Sequence, residues 1–154
     1  MRRKDKEVAD RDKIEAIINR CIVCRVAMVD NNSPYIVPLN FGFADNTLYF
    51  HSALKGRKID ILKKNPEVCF EFDEDVELIP DKEGKACGWG TQFKSVIGFG
   101  TASFVTMPGD KKKALNIIMG HYTGKSFEFS DSDVAQMAII QIDIREMTGK
   151  EAHQ

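Results

Sequence analysis

The chain has 154 residues, which suits one domain built around one core. Apolar residues make up 43% and charged residues 29%, the profile of an ordinary globular protein. A formal net charge of −1 gives no support for broad electrostatic binding to nucleic acid or acidic membranes. No apolar run approaches the ~20 residues of a spanning helix, and the start MRRKDKEVADRDK lacks the apolar segment of a secretory signal. The expected location is therefore the cytoplasm.

In chain order, DRDKIEAIINR (Asp10–Arg20) sets Ile14, Ile17 and Ile18 at helical spacing. Asp10 is a candidate N-cap, with Asp12 as its rival because Glu15 follows at capping-box spacing. Cys21–Val29 is rich in β-branched and apolar residues and predicts a strand. DNNSP has hairpin-turn chemistry, Tyr35–Phe43 is a second strand, Asp45-Asn46 a second turn and Thr47–Ser52 a third strand. RKIDILKKN (Arg57–Asn65) is a short helix stopped before Pro66. Val68, Phe70 and Phe72 alternate with Cys69, Glu71 and Asp73, as in a half-buried strand. DEDVELIPDKEGKACGWGT is expected to be a loop with some extended structure. Ser95–Val105 is a long strand in which Gly98 and Gly100 predict a bend or a close approach. Asp110–Tyr122 is a third helix and Ala138–Ile144 a sixth strand. Residues 1–10 and 148–154 are expected to be flexible tails of this single domain, with His153 in the second.

Six strands joined mostly by tight turns do not make the alternating pattern of a doubly wound fold. The expected fold is mainly β with outer helices, an antiparallel barrel whose closure removes exposed edges. Cys21 and Cys24 form a C-x-x-C, but on a strand and without a second close pair or closely spaced histidines. They are expected to be buried thiols, and no metal site is predicted.

The chemistry concentrates at one strand-to-helix junction, FHSALKGRKIDIL. Backbone N–H groups at a helix start are unpaired, and the dipole favours an anion there. Gly56 permits close approach, Ser52 offers a hydroxyl, and Lys55, Arg57 and Lys58 offer cationic donors. Three cations at a helix start oppose the dipole unless an anion compensates them. The pattern points to a phosphate. Beside it, VPLNF carries Pro38 inside a strand, which marks an interruption or an edge, and Asn40 shares its face.

The run CRVAMVDNNSPYIVPLNFGFADNTLYFHSALKGRKIDILKKNPEVCFEFD resembles the flavin-binding split-barrel superfamily of pyridoxamine 5′-phosphate oxidase. Within it, the chain is most similar to the 5-nitroimidazole-reductase-like branch, which WGTQFKSVIGFGTASFV and the ending IDIREMTGK also fit. The resemblance implies a six-stranded antiparallel split barrel that forms homodimers, with flavin mononucleotide (FMN) between subunits. Ser52, Lys55, Arg57 and Lys58 would then hold the flavin phosphate, while Pro38, Leu39 and Asn40 line its ring. Trp89, Thr91, Ser95, Val96 and Ile97 would approach from the second subunit. His51 would be the catalytic residue, as a proton donor or a substrate ligand, since histidine titrates nearest neutrality.

The implied activity is that of an FMN-dependent reductase of small flat acceptors such as nitro-aromatics. Its flavin would be loaded by a nicotinamide or a reduced protein. Two alternatives remain: a haem-binding or haem-degrading split barrel, and a non-catalytic flavin-binding protein. His121, after the apolar run NIIMG, is expected to be structural.

Overall fold

The computed structural model describes residues 3–152. A two-residue strand β1 (Glu7–Val8) precedes helix α1 (Arg11–Arg20). Strands β2 (Cys24–Asp30), β3 (Ser33–Leu39), β4 (Gly42–Ala44) and β5 (Thr47–Ser52) follow. After helix α2 (Arg57–Lys64) come the long strands β6 (Glu67–Ile79) and β7 (Gly90–Val105). Helices α3 (Pro108–Thr123) and α4 (Asp131–Ala135) lead to β8 (Ala138–Ala152). The predicted second strand divides into β3 and β4, so the six expected strands are all present, with β1 added.

All strands join one antiparallel sheet in the order β3-β2-β6-β7-β8-β5-β4, with β1 beside β8. The two ends of that order, β3 and β4, are consecutive in the chain and separated only by Asn40 and Phe41. A link this short spans roughly 10 Å at most, so the sheet must curl until its edges meet. That makes it a barrel.

Alternation fills the inside. Val26, Met28, Phe50, Val68, Phe70, Phe72, Val96, Ile140 and Ile142 are buried in one core cluster. The Phe41 ring packs 4.9 Å from that of Phe72. Gly98 and Gly100 serve this packing rather than a ligand. A Cβ at Gly98 would lie 2.2 Å from the Phe70 ring, and one at Gly100 2.5 Å from the Asp143 carbonyl, where β7 and β8 shift register. Asn31 and Asn32 both take positive φ, the type I′ geometry that matches strand twist in a two-residue hairpin.

Asp10 is the N-cap of α1, its Oδ1 accepting from Asp12 N at 2.9 Å, and Ile14, Ile17 and Ile18 pack inward. Cys21 caps the other end of α1 instead of starting a strand, and β2 begins at Cys24. Both thiols are buried, and desolvation pushes the Cys21 thiol up to about 12 and raises that of Cys24. Neither is available as a thiolate. The segment Asp73–Thr91 is part strand and part loop: residues 73–79 and 90–91 are strand, because β6 and β7 continue their ladder past a bulge between Glu74 and Glu77 to Ile79↔Gly90, and residues 80–89 connect them. The five-residue α4 was not predicted, although its capping box joins Ser130 and Asp133. Two segments expected to be flexible are built into the sheet. Residues 148–152 continue β8 against β7, and Val8 is buried beside Gly149. His153 lies outside the described residues.

Helix α3 packs on the outside against β4 and β5. The approach is close, since a Cβ at Gly42 would meet the α3 backbone at 2.7 Å. At its end, the Tyr122 hydroxyl accepts from Phe41 N (2.9 Å) and donates to Ile22 O (2.8 Å). Replacing Tyr122 with phenylalanine leaves the amide of the fully buried Phe41 unpaired. Such a loss costs about 1–3 kcal/mol. Chemical denaturation should show that decrease with the circular dichroism of the fold retained.

Candidate functional site

The ladder of β4 with β5 has three pairs, the first of them Gly42↔Tyr49. Continuing its register by two residues sets Asn40 against His51, but pairing stops before that point. β3 bonds only to β2, so its other edge is open. That edge is where Pro38, which has no N–H, is tolerated. From Asn40 and His51 outward, β3 and β5 separate and the barrel is split. Helix α2 fills the gap with Ile59, Ile61 and Leu62, which belong to the barrel core.

Only residues 53–56 join β5 to α2, so the helix must begin at the mouth of the split. Its N-cap, Gly56, adopts φ 139°, a conformation L residues avoid, and makes no side-chain cap. A Cβ at Gly56 would meet nothing within 4 Å. No side chain caps the first amides of α2, and the space beside Gly56 is open. Ser52, 7% exposed, is the one buried polar residue recorded among the described residues, and its hydroxyl, which still reaches solvent, has no hydrogen-bond partner there. Lys55 is exposed and Lys58 half-buried, and neither has an acidic partner among the described residues. Burial pushes the Lys58 amine below its ordinary range. Arg57 differs, since its Nη2 lies 3.4 Å from Asp30 and its guanidinium 4.4 Å from the Tyr35 ring centroid.

The structure thus gathers Ser52, Lys55, Arg57 and Lys58 around one helix start, with His51 at the adjoining strand end. Pro38 and Asn40 are exposed on the outer side of β3, whereas Leu39 turns inward. His51 is exposed and makes no hydrogen bond among the described residues. Trp89, Thr91 and Ser95–Ile97 lie elsewhere in the same chain. His51 is level with Ile139 and Val105 across the sheet, while Ile97 pairs with Thr148. Nine residues of β8 separate those levels, roughly 30 Å of strand, but on the other side of the barrel Ile97 is level with Glu71, Arg25 and Pro38, three strands away. Val96 is fully buried in the core and presents no side chain to a ligand, while Ile97 and Trp89 are exposed. Asp30 and Tyr35 were not singled out in the sequence. Their place at the site follows from the hairpin, which no local motif signals.

The donor set fits a phosphate group: unpaired amides, a partnerless hydroxyl and uncompensated ammonium groups converge without a carboxylate at Lys55 or Lys58. Fold and site together define a split barrel with a basic helix start at the split. The sequence profile of the pyridoxamine 5′-phosphate oxidase family matches residues 10–151, and the chain belongs to that family. Among solved structures it is similar to a candidate 5-nitroimidazole antibiotic resistance protein from Bacteroides thetaiotaomicron. The two share 34% identity over 94% of this chain and 85% of that one, with a TM-score of 0.84. An FAD- and haem-binding protein from Mycobacterium smegmatis has the same fold at 14% identity, over 97% of this chain and 74% of that one (TM-score 0.86). An uncharacterized protein of Rhizobium meliloti is 31% identical over 67 residues, which span 44% of each chain.

The lowered basicity of Lys58 fixes the sign of a prediction. The unfolded chain holds that proton more tightly, so the charged amine disfavours folding and stability rises with pH through the interval below its ordinary range. Lys58→Met should leave the stability of the ligand-free protein unchanged or raised at neutral pH. It should also abolish part of the stabilisation by inorganic phosphate. Thermal unfolding with and without phosphate checks both.

Proposed function

We propose that this protein is an FMN-dependent oxidoreductase that passes electrons to small flat acceptors, nitro-aromatics among them. The observation that carries the reading is the donor set at the start of α2, where Lys55 and Lys58 have no acidic partner among the described residues, together with the partnerless Ser52 hydroxyl at the adjoining strand end. The similarity to the candidate 5-nitroimidazole resistance protein supports the acceptor class. When bound, the flavin supplies the redox chemistry. The chain's own residues do the rest. Ser52, Lys55, Arg57, Lys58 and the α2 amides hold the phosphate, and Pro38 and Asn40 flank the ring at the open edge of β3. Leu39, turned toward the core, supports that edge through its backbone. His51 holds or moves a proton at its imidazole beside the acceptor. A nicotinamide or a reduced protein is the electron source.

The reading includes a homodimer. Trp89, Thr91 and Ser95–Ile97 are, in this reading, delivered to the site by the second copy. Exposed apolar side chains on the outer sheet face, Ile36 (59%), Ile97 (46%) and Phe99 (42%), support burial against that copy. A sedimentation experiment at micromolar concentration should find a dimer that flavin stabilises. A flavin-saturated monomer would exclude shared sites.

The visible spectrum of the purified protein tests the cofactor: broad blue-region bands identify flavin, and a sharp intense band identifies haem. Arg57→Ala with Lys58→Ala removes two charge-assisted partners, each worth roughly 1.5–3 kcal/mol. FMN affinity should fall by roughly a hundredfold. Unchanged binding would remove the seat. His51→Gln should retain FMN and slow reduction of a nitro-aromatic acceptor by roughly 10²–10⁴-fold in stopped flow. Equal rates would leave His51 without a catalytic part.

A further inference from the structure

Arg57 is the one cation of the seat that already has neighbours. It is 57% exposed at the mouth of the split, where a free arginine would sample many rotamers. Yet Asp30, at the end of β2, places Oδ2 3.4 Å from its Nη2, and Tyr35, on β3, lies under its plane at 4.4 Å. Either contact alone is weak, because exposed ion pairs and exposed cation–π contacts contribute little. Together they fix the guanidinium by one edge and one face. Nε and Nη1 keep no partner among the described residues. Asp30 is itself steadied, its Oδ1 accepting from Asn31 Nδ2 at 3.4 Å.

We propose that Asp30 and Tyr35 are positioning residues that hold the Arg57 guanidinium as a pre-set clamp for the phosphate group of the bound flavin nucleotide, an inference that rests on the reading of the seat given above. An arginine ordered before binding loses less rotamer freedom when it grips a ligand. The Asp30 carboxylate also repels a phosphate, so its two effects oppose each other. They separate chemically: Asp30→Ala removes both the acceptor and the charge, while Asp30→Asn removes only the charge. Likewise Tyr35→Leu removes the ring face, and Tyr35→Phe keeps it.

The experiment is a fluorescence titration of the flavin-stripped protein with FMN and, separately, with riboflavin, which lacks the phosphate. Asp30→Ala and Tyr35→Leu should each weaken FMN binding by roughly three- to tenfold. Riboflavin affinity should not change. Tyr35→Phe should bind as wild type, and Asp30→Asn as wild type or tighter. Asp30→Ala on top of Arg57→Ala should add nothing, since the residue positioned is gone. Wild-type FMN affinity in Asp30→Ala and Tyr35→Leu, with Arg57→Ala weakened, would overturn the positioning role and leave the seat standing. Equal loss for FMN and riboflavin would reduce both residues to packing and also overturn it. Wild-type affinity in Arg57→Ala would instead sink the seat. Asp30 lies in an exposed hairpin, so its variants keep the test open should Tyr35→Leu fold poorly.

Discussion

The ladder between β4 and β5 stops after three pairs, and the rest of the site depends on that stop. Had pairing continued, Asn40 and His51 would face each other across a closed barrel and there would be no cleft. Because it stops, the interior between β3 and β5 would lie open, with Phe41 and Phe50 at its edge. Helix α2 covers that opening with three apolar side chains on one face. A link of four residues gives the helix little choice of where to start. The same constraint that plugs the core therefore delivers unpaired backbone N–H groups to the mouth of the split.

Charge placement sharpens the point. Some surface cations meet acids: Arg20 meets Glu74, Arg25 meets Glu71 and Asp73, and Arg145 meets Glu67, while Lys13, Lys82 and Lys125 form no ion pair among the described residues. Lys63 and Lys64 close α2, where the dipole favours them. Lys55 and Lys58 stand unpaired at the opposite end, where the dipole disfavours them. Asp60 is the one acid of that first turn, against Lys55, Arg57 and Lys58. The local electrostatic cost makes sense if an anion completes the site.

Where sequence patterns were local, they were legible. The period-2 run from Val68 to Phe72, the Asp10 cap and the Asn31-Asn32 turn each specify their structure within a few residues. The polar and basic cluster at the start of α2 was legible for the same reason, since Ser52 to Lys58 form one short segment. The extension of β6 and β7 was hidden because an acidic stretch has low strand propensity, and its pairing is set by the neighbouring strand. The fate of residues 148–152 was hidden likewise: Thr148–Ala152 gains its order from β7, a non-local partner. The contacts of Arg57 with Asp30 and Tyr35 reach back 27 and 22 residues, and only the β2–β3 hairpin brings them together.

The two described histidines show how structure separates support from chemistry. His121 is committed. Its Nε2 donates to Cys21 O at 2.8 Å, and its ring lies 4.3 Å from that of Phe41. With Tyr122 it ties the end of α3 to the link between α1 and β2 and to Phe41, between β3 and β4. That tie fixes Phe41 from the core side and so sets where Asn40, one residue earlier, emerges at the mouth. His51 has no such duty, since it projects outward and bonds to nothing among the described residues. Removing it would leave the barrel's internal contacts intact, whereas removing His121 would loosen the junction on which the cleft is hinged. A side chain that the fold does not employ, placed beside a seat that the fold leaves uncompensated, is free to answer to a ligand.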